Sequence, residues 1–199
     1  MGRRAKVLLG AAAGALTISL SACIGGGAAP SGSSGPGETS TETATPSGPV
    51  STTRSDDAFE LTISTPNAHV EAPDPIEIDT TLTYIGARSS PTISTSAGGP
   101  VAFSVDEIGG NRKSGSVRDS ACRRGSMIRG VPVPQPFAKS GGWSNGDPNA
   151  DFVRAYVRGP DLNLPPGRWR ITAELVAYVG DCTANGAHEL TASVEIVVR

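Results

Sequence analysis

Apolar and polar residues alternate in several short runs of this chain, the period of a half-buried β-strand. Phe59-Glu60-Leu61-Thr62-Ile63 is the first such run. Ile76 to Tyr84 repeats the pattern, and Val101-Ala102-Phe103-Ser104-Val105 repeats it before a Gly109-Gly110-Asn111 turn. Val153-Arg154-Ala155-Tyr156-Val157 follows a long irregular stretch. The strongest pair comes last: Trp169, Ile171, Ala173, Leu175 and Ala177 alternate with polar residues, then Leu190, Ala192, Val194, Ile196 and Val198 do the same. No segment sustains a helical period. About seven short strands separated by turn residues predict an all-β, antiparallel β-sandwich over residues 58–199. A domain of that length buries roughly 70% of its unfolded surface, enough for a stable core.

The first 57 residues carry no such alternation. Arg3, Arg4 and Lys6 precede an apolar run from Val7 to Leu20, and small residues lead from there to Cys23, the three-part layout of a secretory signal. The run is about 14 residues, short of the roughly 20 that span a bilayer core. Residues 1–22 are therefore expected to be a signal peptide. From Ile24 to about Asp57 the chain is nearly all Gly, Ser, Thr, Pro and Ala, a composition that cannot offset its ordering entropy. Residues 23–57 are expected to be a disordered linker, spanning roughly 30–35 Å as a random coil.

Leu20-Ser21-Ala22-Cys23 resembles the lipobox of bacterial lipoproteins, with Leu, a small residue and Ala ahead of the cysteine. The resemblance implies a diacylglycerol thioether on Cys23, which becomes the new N-terminus. It places the mature chain on the extracytoplasmic face of the cell membrane, held by acyl chains that each contribute about 0.8 kcal/mol per buried methylene. The abundance of Ala, Gly, Pro and Arg, together with the lipobox, resembles an actinobacterial lipoprotein. In the folded part, Pro165-Pro166-Gly167 leading into Trp169 resembles the turn before the penultimate strand of many immunoglobulin-like domains. The order Leu82–Tyr84, Pro100–Asp106, Leu164–Trp169 is similar to the sandwich layout of the bacterial intracellular proteinase inhibitor family. That likeness implies an immunoglobulin-like fold and, as an alternative function, a proteinase inhibitor at the cell surface.

Charge narrows the partners. The net charge is −2, with no basic field of the kind that nucleic acid requires, so the expected partners are the membrane, through Cys23, and an envelope protein or polymer. With Cys23 lipidated, Cys122 and Cys182 remain, and an exported chain meets oxidising conditions, so a disulfide is expected, with two free thiols as the alternative. It would close a loop of about 60 residues, worth roughly 4 kcal/mol in the chain-entropy model. Two cysteines without matching histidine spacing fall short of a zinc site, and no metal or other cofactor is expected.

Arg118, Arg123, Arg124 and Arg129 cluster around Cys122 in sequence. With Trp143 they make a candidate binding surface within the loop region 112–149, where Phe137 and several prolines also lie; an ordinary solvated surface explains the same charges. Asn145, Asp147, Asn149 and Asp151 alternate as in a calcium loop, but the Gly of the sharp turn and the closing Glu are missing, and an Asx-rich turn accounts for them without an ion. His69 and His188 are the two histidines. No Gly-x-Ser-x-Gly elbow, His-Glu-x-x-His helix or phosphate-binding Gly loop accompanies them, so no catalytic residue is assigned and a non-catalytic binding module is the expected function.

Overall fold

The computed structural model describes residues 48–144, 146–182 and 186–199. The expected signal peptide, the lipobox at Leu20, Ser21, Ala22 and Cys23, and most of the expected linker lie outside these residues. Among the described residues are eleven strands and one helix: β1 (Val50–Ser55), β2 (Phe59–Thr65), β3 (His69–Val70), β4 (Asp79–Tyr84), β5 (Thr92–Ser96), β6 (Val101–Glu107), β7 (Lys113–Ser114), β8 (Cys122–Ser126), β9 (Pro132–Pro134), α1 (Ala150–Arg158), β10 (Gly167–Val179) and β11 (His188–Val198). The chain is all-β, as the alternation predicts. Three of the strands (β3, β7 and β9) are only two or three residues long, which is why the sequence pattern suggests fewer.

The strands form two sheets. One has the order β1-β2-β4-β9; the other runs β3-β11-β10-β5-β8, with β6 and then β7 continuing from β10. Strand β10 is long enough to serve two neighbours along one edge, pairing β6 from Trp169 to Leu175 and β5 at Tyr178 and Val179. Its other edge pairs with β11 over Gly167–Ala177. All pairings are antiparallel except β3 with the end of β11. The residues that alternate in sequence face inward. Phe59, Leu61 and Ile63 of β2 and Leu82 of β4 meet Phe103, Val105, Trp169, Ile171, Leu175, Val194 and Ile196 of the other sheet, all essentially solvent-free.

Two expectations are corrected. Residues 50–55, assigned to the linker, are strand β1, in register with β2 from Val50↔Thr65 to Ser55↔Glu60. The strand is polar and mostly exposed, so its order comes from its partner; Thr53 and Thr62 hydroxyls, for example, meet across the ladder at 2.9 Å. The expected strand Val153–Val157 is instead part of helix α1. Five alternating residues cannot distinguish the two periods, and the flanks decide it. Asp147 Oδ1 accepts the Asn149 amide in an Asx turn, the Val153 amide donates to Asn149 O, and Phe152 stacks on Tyr156 one turn on, with ring centroids 5.9 Å apart. Val153 and Tyr156 are buried, and Phe152 also stacks on Trp169 at 5.3 Å, so the helix lids the Trp169 end of the core.

The turn into β10 is fastened at the same place. Trp169 Nε1 donates to Pro165 O at 2.8 Å. Gly167 has φ +152°, and a Cβ there would meet Glu107, Arg112 and Trp169 side-chain atoms at 3.1–3.4 Å, so glycine suits both the backbone and the space. Arg112 forms a two-pronged ion pair with Glu107, donates to Pro166 O at 2.9 Å, and lies 5.1 Å over the Trp169 ring.

Candidate functional site

The region that sequence leaves irregular, residues 112–142, holds β7, β8 and β9 and forms one open edge of the sandwich. Strand β8 pairs with β5 from Thr92↔Ser126 to Ser96↔Cys122 and ends its sheet among the described residues, which leaves its outer backbone edge without a strand partner there. All five of its residues are exposed. It has no apolar face of its own. Its position comes from the ladder to β5 and from the disulfide Cys122–Cys182, which ties its first residue to the turn after β10, with Cα atoms 6.2 Å apart. The expected cysteine pair is thus a disulfide.

Strand β9 ends the other sheet, pairing with β4 at Thr81↔Pro134, Leu82↔Val133 and Thr83↔Pro132. Two prolines in three residues remove the amides that a further strand would need. Between β8 and β9 lies a groove of about 320 Å3, walled by Ile93, Thr95, Met127 and Val133 with Arg123 and Arg124 along it. The turn that links the two strands is pinned at its base, where the Arg129 amide donates to Ser89 O and the Gly130 amide to Tyr84 O, both at 2.9 Å. It carries Ile128 (63% exposed) and Val131 (46% exposed) on its crest.

The structure divides the expected binding residues. Arg123 and Arg124 stand on β8, and Arg129 sits in the adjoining turn. Arg124 reaches Asp181 at 3.1 Å, but both side chains are more than half exposed and the pair contributes little. Arg118 does not belong with them. Its guanidinium turns onto the sheet, donating to the carbonyls of Pro100 and Glu174, and burial pushes its pKa down against the opposing charges of Glu174 and Glu189. It is a strap that holds the Ser116–Ala121 segment, aided by the Ser116 hydroxyl on Glu174 Oε2 at 2.7 Å. Trp143 is 42% exposed but lies against α1, with Arg154 5.6 Å over its ring. Phe137, grouped with the exposed loop in sequence, packs on Phe103 at 4.8 Å and joins the core.

The suspected calcium loop is explained by hydrogen bonds. Asp147 Oδ1 takes the Asn149 amide, Asn149 Oδ1 takes the Lys113 amide at 3.2 Å, and Asp151 belongs to α1, paired with Arg154; Asn145 lies outside the described residues.

A second polar cluster was not visible in sequence. His188, the first residue of β11, points between the sheets, its ring edge-on to Phe59 with centroids 5.3 Å apart. Its Nδ1 is 2.8 Å from Asp56 Oδ2 and 3.7 Å from Asp57 Oδ1. Asp56 Oδ1 accepts the amides of Ala58 at 2.8 Å and Phe59 at 2.7 Å. Burial opposes the charge on Asp56, but the Phe59 and Ala58 amides and then His188 outweigh it and hold the carboxyl below its ordinary pKa. No helix among the described residues is long and apolar enough to cross a membrane. No family model matches the chain, and no curated protein matches it.

Proposed function

We propose that this chain is an extracytoplasmic lipoprotein, anchored through a lipid on Cys23, whose β-sandwich is a non-catalytic binding module. The β8–β9 edge is the docking surface, and an extended acidic segment of an envelope protein is its partner. The observation that carries this reading is the exposed edge of β8, unpaired among the described residues, beside an apolar groove. An extended peptide can add a strand there, taking affinity from main-chain hydrogen bonds and specificity from alternate side chains. Arg123, Arg124 and Arg129 favour carboxylates on that strand. The same arginines disfavour a second copy of the chain, because antiparallel pairing of β8 with itself sets Arg against Arg.

The test uses a fluorescent peptide of alternating Glu and Val, titrated against the purified, disulfide-intact chain and followed by anisotropy. Saturable binding that weakens with salt, and at least ten-fold with Arg123→Glu/Arg124→Glu, is the expected result. Equal affinity for the charge-reversed chain sinks the docking surface. Binding to a wall polymer but not to the peptide moves the site to the polymer class.

A proteinase inhibitor is the second reading, favoured by the rigid turn that presents exposed Ile128 and Val131, since an inhibitor needs a braced apolar loop. Stoichiometric inhibition of secreted proteases, lost on substituting Ile128 by Asp, supports it. A panel of proteases left fully active by excess chain removes it.

A further inference from the structure

We propose that Asp56, Asp57 and His188 form a binding site for one divalent transition-metal ion of the zinc class. Nothing in the local sequence suggests it, since Asp56 and His188 are 132 residues apart, and spacing alone predicts no metal site. The fold brings the three together at one mouth of the sandwich, with one donor atom of each side chain within 4.8 Å of the others.

The geometry suits a small tetrahedral ion. Ligand atoms held roughly 2.0–2.2 Å from such an ion lie about 3.4 Å from one another. The measured separations from His188 Nδ1 are 2.8 Å to Asp56 and 3.7 Å to Asp57, on either side of that value. The Asp56 and Asp57 donors lie within 4.8 Å of each other as well, so the set needs side-chain adjustment of about an ångström to close on an ion. One imidazole nitrogen and two carboxylate oxygens select a borderline cation over calcium or magnesium, which prefer six or more oxygens. The fourth position is left to water.

The ligands are also oriented in advance. The amides of Ala58 and Phe59 occupy Oδ1 of Asp56 and leave Oδ2 facing the imidazole, the arrangement in which a ligand carboxylate is fixed by its outer partners. The His188 ring is steered by its T-shaped contact with Phe59 and by the pairing of residue 188 with Ala177. The His188 and Asp56 side chains are only 21% and 26% exposed, whereas Asp57 is 91% exposed and free to swing in. Because Asp56 and Asp57 belong to the β1–β2 turn and His188 to the other sheet, a bound ion would cross-link the two sheets. This site is independent of the β8–β9 edge.

The experiment is calorimetric titration of zinc chloride into the untagged, chelator-treated chain, with a thermal melt in parallel. One zinc per chain, unaffected by a hundred-fold excess of calcium, and a rise in Tm are expected. Asp57→Asn is the decisive variant, since an exposed side chain can change without disturbing the fold; it should weaken zinc at least ten-fold and abolish the Tm rise. His188→Gln should do the same and remove the tetrahedral visible spectrum of the cobalt-substituted chain. Absence of binding at millimolar zinc overturns the site, leaving a plain Asp–His pair. Undiminished binding by Asp57→Asn overturns it as well, by placing the ion elsewhere.

Discussion

The hairpin β10–β11 and the pair β8–β9 are both β-structure, yet they are held by different physics. Strand β10 runs for thirteen residues, paired on both edges, with Trp169, Ile171, Ala173, Leu175 and Ala177 all buried. It needs nothing but its own alternation to choose a face. Strand β8 is five exposed residues paired on one edge and stapled at one end, and β9 is three residues built around two prolines. Their place is assigned by neighbours. A strand that supplies core carries stability, while a strand that borrows its position is free to carry recognition, and the exposed arginines and groove lie on the borrowed edge.

The sharpest way to break this comparison is one truncation on each side. Trp169→Ala should cost about 3–5 kcal/mol by the range for buried aromatics, read as a lower urea midpoint, whereas Arg123→Ala should stay within about 0.5 kcal/mol. Similar losses at both positions would contradict the division. Next in size, replacing Cys122 and Cys182 by serine should lower stability by about 2–4 kcal/mol. The β8 amides should then lose hydrogen-exchange protection while those of β10 and β11 keep it in the native state. Uniform loss of protection would mean that β8 is not separately held.

The smallest effect is a dependence on pH. The Arg112 guanidinium, with the Arg112 and Asn111 amides adding to it against opposing burial, holds Glu107 below the usual carboxylate range. The folded pKa lies under the unfolded one, so the stabilisation is complete above about pH 4.3 and is lost as pH falls through the folded value. Glu107→Gln should be less stable at pH 7 and should show a shallower decline as pH falls below about 4.3. An acid-unfolding curve parallel to that of the parent chain would remove Glu107 from the account.

Legibility in the sequence followed the same division. Phe59–Ile63, Trp169–Ala177 and Leu190–Val198 could be placed because each buries its own apolar face. The cysteine pair is expected on the reading that reserves Cys23 for a lipid, and Cys122 and Cys182 do form a disulfide. Strand β1 could not, since a run of Ser, Thr and Arg has no face to bury and is ordered by β2. Helix α1 is not legible locally, because Val153–Val157 satisfies a period of two as well as it satisfies a helix, and the deciding contacts, Phe152 on Trp169 and the Asp147 turn, are partly remote. Arginines of one type and one neighbourhood split into a strap, Arg118, and exposed charges, Arg123 and Arg124, according to which carbonyls lie within reach.

The sequence by itself determined the class of the fold and the core faces of its long strands, because period-two burial is a local property of each long strand. It also made Cys122 and Cys182 the expected pair, which the structure joins. Tertiary structure alone decided which edge stays open, which arginine is structural, and that Asp56, Asp57 and His188 meet. Those outcomes depend on distances between segments far apart in the chain, and no local pattern encodes such a distance.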